Sequence, residues 1–335
     1  MSKRKKHLSR NPALGTASKP FSAGLKWPGR LIMGSCLTLA MFAIISVHHY
    51  WFVPHALKKR IEPYGNMVYW KRSWGAQQDI FIIGQEHYNR ATGPHGPVDT
   101  TAQKTNLPLI QTQIYRIMEA LWKEEKVGLA IGEGLPAGEF SLDPTKRGMS
   151  PSGVVGTRSG LQRDPYAIRF FEANLKEPAY VVFEMFNPER VLTWGVNDQA
   201  ELKKHGELNR ELFEATARFL PRGRIRQDRY KQWSEVSMRV HDEQDRLNDL
   251  RSAITARESL EAPEKLFRKG RIKKANCVIV MGEAHLPVMV QKLRESGKRL
   301  NLYCILPRAC STSVTRLDIL DGCSIMEMGK RHPQP

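Results

Sequence analysis

Cysteine is scarce in this chain, with 5 in 335 residues, so a scaffold stapled by disulfides is excluded. No Cys-x-x-Cys pair occurs, which disfavours zinc knuckles and thiol–disulfide exchange sites. The sequence also lacks His-Glu-x-x-His, a Walker A loop, Gly-x-Gly-x-x-Gly and Gly-x-Ser-x-Gly. These absences count against the common zinc proteases, nucleotide-binding enzymes and serine hydrolases.

Acidic residues are missing from residues 1–30, which carry eight Lys and Arg out of a chain with net charge +18. This segment is rich in Ser, Pro and Gly, and its composition predicts disorder. Because an apolar run follows at once, we interpret the charge as a membrane topology signal, and binding to nucleic acid is not expected. The remaining composition, 41% hydrophobic and 26% charged, is typical of a globular protein of one large or two small domains.

The run Leu31–Val47 contains no charged residue. At about 1.5 Å per residue it spans roughly 26 Å, and extension to residue 53 gives the length of a bilayer core. Trp27 on one side and Tyr50 and Trp51 on the other suit aromatic anchors at the membrane interface. We predict a signal anchor over 31–53, with the N-terminus cytoplasmic and the main domain periplasmic or extracellular. A cleaved signal peptide is the alternative.

Residues 54–330 are predicted to form a single α/β domain. The runs Asp79–Ile83, Val127–Ile131 and Ala275–Met281 are continuously apolar, as in strands that are buried on both faces. Leu109–Trp122 has helical spacing of apolar residues between two of them. The pattern predicts a mostly parallel sheet flanked by helices, behind the transmembrane helix. The sequence does not fix a disulfide pairing among the cysteines of this domain, which are Cys277, Cys304, Cys310 and Cys323.

A helical insertion is predicted at about 199–262, because two long charged stretches there have amphipathic spacing. Its histidines His205 and His241 are expected to be solvated. Residues 135–165 are rich in Gly, Pro and Ser and are interpreted as a long loop. Pro178–Phe186 is predicted to be a helix from which Glu184 faces solvent, with a strand over Tyr180–Phe183 as the alternative.

Two predicted strands end in the same pattern, Gly-x-x-His, at His87 and His285, and a third ends at Glu133. Because ligand sites form at the carboxyl ends of parallel strands, we expect these three side chains to meet. Two His and one carboxylate can hold a divalent metal such as Mn, Co, Zn or Fe that activates water. Without a metal, a His oriented by a carboxylate can deprotonate water directly.

Further residues stand near this constellation in the sequence. Arg257 is a candidate to stabilise an oxyanion or to hold a carboxylate in place. Glu86 and Glu283 flank the two histidines and are second-tier candidates for binding a cofactor. Each histidine taken alone is more often an ordinary loop residue, and the repeated pattern after two buried strands is what favours function.

These motifs resemble the TraB/TIKI, erythromycin-esterase-like and ChaN-like superfamily. The similarity covers roughly residues 78–306, through Ile82-Ile-Gly-Gln-Glu-His87, Arg257-Glu258 and Val278-Ile-Val-Met-Gly-Glu-Ala-His-Leu286. It implies an α/β fold with His87, Glu133, Arg257 and His285 as functional residues at one end of the sheet. The segment Gly195-Val-Asn-Asp198 departs from a Gly-hydrophobic-Glu-Asp element of some members, because Asn197 replaces the Glu.

The resemblance implies more than one chemistry, since its members include metal-dependent proteases, metal-free esterases, haem-associated proteins and regulators. The leading hypothesis is a membrane-anchored, exterior-facing hydrolase of a peptide or an ester. The alternative is a non-catalytic envelope protein that binds haem or a peptide in the same cleft. A third hypothesis is a plain envelope scaffold that presents its long charged helices to a partner.

Overall fold

The computed structural model describes residues 27–48, 53–85, 92–93, 96–97, 101–145, 148–174, 177–197, 199–219 and 227–310, together with residue 319. The chain divides into two compact units, residues 1–49 and 50–335. Most of the basic segment predicted over 1–30 lies outside the described residues, which begin at residue 27.

The first unit contains α1, Trp27–Val47, a helix of 21 residues. Its side chains are described from residue 35 onward, and residues 49–52 of the predicted span lie outside the described residues. Within the parts of the chain that the structure describes, no helix is long and apolar enough to cross a membrane. The membrane anchor stays a prediction of the sequence.

The second unit is built on a seven-stranded sheet. The strands of the unit are β1 Gly65–Lys71, β2 Gln78–Gln85, β3 Thr92–Gly93, β4 Gly96–Pro97, β5 Leu129–Pro136, β6 Gly138–Phe140, β7 Leu192–Asn197, β8 Cys277–Gly282 and β9 Leu300–Pro307. The order across the large sheet is β1-β9-β2-β8-β5-β7-β6, and β3 pairs with β4 in a separate two-stranded sheet. The five central strands are parallel, whereas β1 and β6 run antiparallel at the two edges. The predicted α/β fold with a mostly parallel sheet is confirmed.

Helices cover both faces of this sheet. The helices of the second unit are α2 Val53–Ile61, α3 Thr101–Glu125, α4 Pro151–Gly160, α5 Asp164–Ala173, α6 Ala179–Phe186, α7 Gln199–Phe219, α8 Gln227–Arg268 and α9 Leu286–Glu295, of which α7 packs against α8. Strand β2 shows why its apolar run is continuous: Phe81 and Ile83 pack with residues of α3, α5 and α6, while Ile80 and Ile82 pack with residues of α8 and α9. Each of these fully buried side chains contributes about 2 kcal/mol of hydrophobic stabilisation.

The prediction of a loop over residues 135–165 is wrong in two places. The structure has the edge strand β6 there, and it forms α4 from residue 151. Ser150 Oγ accepts a hydrogen bond from the Gly153 N–H at 3.1 Å, and Pro151 occupies the first turn of α4. Ser and Pro at these positions start a helix, so the residues that favoured a loop are the cap of a helix.

Helix α6 confirms the predicted helix at 178–186, but the expected exposure of Glu184 is wrong. All eight residues of α6 are buried, because the helix lies between the sheet and its neighbouring helices. Glu184 Oε1 accepts a hydrogen bond from Ser141 Oγ at 2.8 Å. Burial raises the pKa of the Glu184 carboxyl group, and this hydrogen bond lowers it by less.

The helical insertion predicted at about 199–262 corresponds to the hairpin of α7 and α8. The hairpin has a small core of its own, formed by Leu208, Val240 and Leu247. The sequence predicted that the insertion ends at about residue 262, just before Pro263. Helix α8 instead continues through Pro263 to Arg268. A proline inside a helix costs about 3 kcal/mol, and burial of Ala262 and Leu266 against the sheet offsets that cost.

Candidate functional site

The carboxyl ends of β2, β8, β5 and β7 lie at one edge of the sheet, because these neighbouring strands are parallel. Gln85 at the end of β2 pairs with Gly282 at the end of β8. Glu133 extends from β5 at the same edge, and Asn197 ends β7. The structure thereby brings Glu133 together with the turn that follows β8.

His285 lies in a short 3-10 turn, Glu283–His285, between β8 and α9, with a side chain only 8% exposed. Its Nδ1 is 2.9 Å from Ser252 Oγ on α8. The Ser252 hydroxyl donates its single proton to the carbonyl oxygen of Asn248 at 2.8 Å, so it accepts from the His285 Nδ1–H. The neutral imidazole of His285 therefore carries its lone pair on Nε2, as a general base requires.

Glu133 is held from two sides. Its Oε2 accepts a hydrogen bond from the Gly282 backbone N–H at 3.1 Å, and its Oε1 accepts one from Arg251 Nη2. The same Oε1 lies 3.8 Å from Nε2 of His285. The carboxylate, the guanidinium and the imidazole thus form one nearly buried cluster, which we call the Glu133 cluster.

Arg251, rather than Arg257, belongs to this cluster. The Arg251 side chain is 15% exposed, whereas Arg257 is 61% exposed and pairs with Glu258 Oε1 at 3.5 Å. The two arginines are six residues apart, which turns them to different sides of a helix with about 3.6 residues per turn. Arg257, which sequence reasoning selected, is not brought together with Glu133 or His285.

The sequence contained a signal for Arg251. The face of α8 toward the sheet carries small buried residues at helical spacing, which are Ser252, Thr255, Ala256, Ser259 and Ala262. Arg251 lies one turn before Thr255, and so next to this face, where a side chain reaches the sheet edge. Phasing the small residues along the helix would have favoured Arg251.

Tyr180 is a second residue that sequence reasoning missed. It is fully buried on α6, and its hydroxyl donates to the backbone carbonyl of Glu133 at 2.7 Å. Burial raises the pKa of the Tyr180 hydroxyl, with a further increase from the nearby Glu133 charge. Gly132 makes this contact possible, because a Cβ there would lie 2.1 Å from the Tyr180 ring. The Gly before the strand-end Glu is therefore a packing requirement.

Gly84 has a comparable role in the first Gly-x-x-His motif. A Cβ at Gly84 would lie 2.6 Å from Leu286 Cδ1 and 3.2 Å from the Cα of Glu283. This glycine lets β2 approach the turn that carries His285. Glu283 begins that turn and is half-buried.

The first motif itself is only partly visible. His87 and Glu86 lie outside the described residues, which end in this region at Gln85. The Gln85 side chain is buried, and its Oε1 accepts a hydrogen bond from Gln111 Nε2 at 3.1 Å. Any contact of His87 with the Glu133 cluster stays a prediction.

Among the described residues, the candidate ligands of a divalent metal are His285, through Nε2, and Glu133, through Oε1. A tetrahedral zinc ion places N and O donors roughly 3.4 Å apart, close to the 3.8 Å found here. The positive guanidinium of Arg251 contacts the same Oε1, however, and opposes a second cation there. The described part of the cluster therefore fits a metal poorly. Among described residues, no group of three or more His, Cys, Asp or Glu side chains could hold one.

Comparison with known proteins gives no match to a family model, to a curated protein or to a solved structure. The resemblance described above therefore rests on the motifs quoted for it. The arrangement of His285, Glu133 and Arg251 is what the structure itself contributes.

Proposed function

We propose that the second unit is a hydrolase of an ester or peptide bond, with His285 as the general base. The observation that carries the proposal is the position of His285 in the Glu133 cluster, with Nδ1 2.9 Å from Ser252 Oγ and Nε2 3.8 Å from the Glu133 carboxylate. With Nδ1–H assigned as the donor to Ser252, Nε2 is the nitrogen that accepts a proton.

In the proposed reaction, His285 Nε2 takes a proton from a water molecule while the oxygen of that water attacks the carbonyl carbon of the substrate. The imidazolium that forms is stabilised by the negative charge of Glu133 beside it. When the bond to the leaving group breaks, Nε2 returns the proton to that group, so that His285 ends neutral. Arg251 acts through Glu133 as a positioning residue, because it holds the carboxylate oxygen that faces the imidazole.

The predicted divalent metal is not needed for this sequence of steps. Arg251 on Glu133 favours the metal-free form of the reaction, in which His285 deprotonates water directly. Metal content of the purified chain, measured by mass spectrometry after addition of Mn, Co, Zn or Fe, tests this preference. Stoichiometric metal that is lost in a Glu133→Gln variant would contradict it.

The proposal includes attachment to a membrane through residues 31–53, with the second unit on the exterior side. Its support is the uncharged run Leu31–Val47 and the basic residues that precede it. Extraction of membranes with carbonate, followed by protease treatment of intact cells, tests both parts. Release by carbonate, or protection of the second unit from external protease, would contradict the proposal.

The hydrolase is tested with the full chain in detergent, using p-nitrophenyl acetate as the ester and fluorescein-labelled casein as the peptide substrate. We expect His285→Gln to lower kcat by about 1000-fold, as loss of a general base does. His55→Gln is the matched control, because His55 is an exposed histidine on α2, far from His285 in the sequence. This variant should keep full activity. Thermal unfolding of each variant shows whether it is folded.

Equal activity in folded His285→Gln and wild-type chains would refute the assignment of the base. A wild-type chain that turns over neither substrate, yet binds haem with a Soret band that His285→Gln lacks, would refute the hydrolase. That result would favour the non-catalytic binding protein instead.

A further inference from the structure

The amino ends of the parallel strands form the edge of the sheet that lies opposite to the Glu133 cluster. Strand β1 is antiparallel to its neighbour, so its last residue also lies at this edge. The chain segments here are 71–77 before β2, 126–128 before β5, 269–276 before β8 and 296–299 before β9. We call the surface that they form the amino edge. Hydrogen bonds join neighbouring segments, since the Gln77 N–H donates to the Arg299 carbonyl at 3.2 Å and Asn276 Nδ2 donates to the Glu125 carbonyl at 3.0 Å.

The amino edge is strongly basic. The stretch from Arg268 to Lys274 contains five Lys and Arg and no acidic residue. Exposed cations occur on all four segments, and they include Lys71, Lys126, Lys273, Lys274, Lys298 and Arg299. Two acidic side chains beside them are already engaged. Asp79 accepts a hydrogen bond from Asn301 Nδ2 at 2.6 Å, and Glu264 Oε2 lies 3.8 Å from Lys298 Nζ. The surface therefore presents a positive charge to any partner.

Two adjoining clefts and two exposed aromatic rings complete the amino edge. One cleft of about 280 Å³ has Lys273 and Lys274 in its wall, and the other, of about 220 Å³, has Lys298 and Arg299. Phe267 lines both clefts and is 50% exposed, and Trp74 on the segment before β2 is 45% exposed. Exposed aromatic rings beside Lys and Arg are typical of a surface that contacts lipid headgroups.

The chain also enters the second unit at this edge. Helix α2 begins at Val53, and His55 in its first turn lies against Trp70, with the ring centroids 6.0 Å apart. Trp70 is the residue before the end of β1, and β1 ends at the amino edge. The membrane segment that the sequence predicts ends at residue 53. A bilayer that holds this segment would therefore have its surface close to the amino edge.

We propose that the amino edge docks on an anionic lipid surface, with its Lys and Arg at the lipid phosphates and with Trp74 and Phe267 among the headgroups. This inference rests on the membrane attachment proposed above and does not depend on the hydrolase. The cations extend over five neighbouring strands, from β1 to β5. At about 4.8 Å per strand that is roughly 19 Å, which suits several lipids better than one small anion.

Docking in this way would decide which substrates reach the candidate site. Strand β8 has six residues and joins the amino edge to the turn that carries His285. At about 3.3 Å per residue the Glu133 cluster then lies roughly 20 Å above the lipid surface. The site therefore opens toward molecules in solution rather than toward the bilayer.

The docking is tested on the full chain reconstituted into vesicles of phosphatidylcholine alone, or of phosphatidylcholine and phosphatidylglycerol in equal parts. Acetic anhydride, an uncharged reagent, modifies exposed lysines, and peptide mass spectrometry gives the rate at each one. We expect Lys273, Lys274 and Lys298 to react at least about 10-fold more slowly in the anionic vesicles. Addition of about 1 M NaCl, where the Debye length is about 3 Å, should abolish this protection. Lys231 on α8, twenty residues and about 30 Å before Arg251, is an exposed internal control that should react equally in both.

Removal of charge gives the second test. Each Lys near an anionic surface contributes about fivefold to binding, so Lys273→Gln/Lys298→Gln should lower the ratio of docked to undocked protein by about 25-fold. The readout is lost protection of Lys274. Lys203→Gln/Lys231→Gln, which removes two exposed lysines from the hairpin of α7 and α8, is the matched control and should leave that protection unchanged.

The outcomes separate this inference from the proposals on which it does or does not rest. Equal rates at Lys274 in both kinds of vesicle, with the chain retained after carbonate extraction, would overturn the docking and leave the membrane anchor standing. Equal slowing of Lys231 and Lys274 would overturn it too. Protection of Lys274 by ATP in neutral vesicles, with none from phosphatidylglycerol, would replace the lipid surface by a small anionic ligand. Release of the chain by carbonate would overturn the anchor and with it this inference, while ester hydrolysis by the same sample reports on the hydrolase alone.

Discussion

Replacing Arg251 by Met is the sharpest test of the Glu133 cluster, because Met keeps most of the side-chain volume and removes the charge. The Glu133 and Arg251 side chains are 11% and 15% exposed, so the variant leaves a carboxylate without its countercharge in a nearly dry site. Breaking a buried ion pair in this way costs about 3 kcal/mol. In a domain of this size the melting temperature should fall on the order of 6 °C.

Arg257→Met is the matched control on the same helix. Its partner Glu258 is reached at 3.5 Å from a guanidinium that is 61% exposed, and such surface pairs contribute less than about 1 kcal/mol. Urea unfolding of the full chain, followed by tryptophan fluorescence, measures both variants. We expect a large loss for Arg251→Met and a change within about 0.5 kcal/mol for Arg257→Met.

A double-mutant cycle completes this experiment. Combining Glu133→Gln with Arg251→Met removes both charges at once, so the double variant should lose less stability than the two single variants added together. The coupling free energy should lie in the range of about 1–3 kcal/mol. Additive losses, or a larger loss for Arg257→Met than for Arg251→Met, would refute the arrangement of the cluster described here.

Three further predictions concern the surroundings of the cluster. Gly132→Ala should destabilise the fold by about 3 kcal/mol or more, since the new Cβ would lie 2.1 Å from the ring of Tyr180; unchanged urea unfolding would contradict this packing. Glu184→Gln should stabilise the fold at pH 7: the native pKa of Glu184 is raised, so the contribution of this group to stability is fully present below pH 4.5 and is lost as pH rises through the native pKa. The difference in thermal stability between variant and wild type, measured from pH 4 to pH 8, should therefore grow with pH in favour of the variant; a difference that does not change with pH would refute it. Ser252→Ala should lower kcat for p-nitrophenyl acetate more than it changes KM, because it frees the tautomer of His285, and a change confined to KM would argue against that role.

The sheet could be predicted from the sequence because its central strands are apolar on both faces. The runs around Ile80 and Ile279 show no alternation of apolar and polar residues, which distinguishes them from half-exposed strands. The Gly and polar residues that follow mark where each strand ends. Glu133 was found for the same reason, since it stands directly after such a run. The position of Glu133 depends on a single strand, and local sequence patterns predict single strands.

The residues on helices could not be found in this way. Whether Arg251 or Arg257 reaches Glu133 depends on which side of α8 meets the sheet, and the charged residues all around that helix hide its small-residue face. His205, which was predicted to be solvated, is half-buried, because α7 pairs with α8 in a way that no local pattern specifies. Glu184 sits in a helix that is buried on every side, and there the usual rule that a carboxylate faces water does not apply.

The two antiparallel edge strands also decide how the second unit can associate with other molecules. An open edge of a sheet is a template for strands of other chains, and native proteins guard it with short strands and bulges. Strand β6 at one edge has only three residues, and β1 at the other edge has an irregular register between Met67 and Tyr69. Edge-to-edge growth of the sheet into aggregates is therefore opposed at both sides, which leaves the helical surfaces for contacts between molecules.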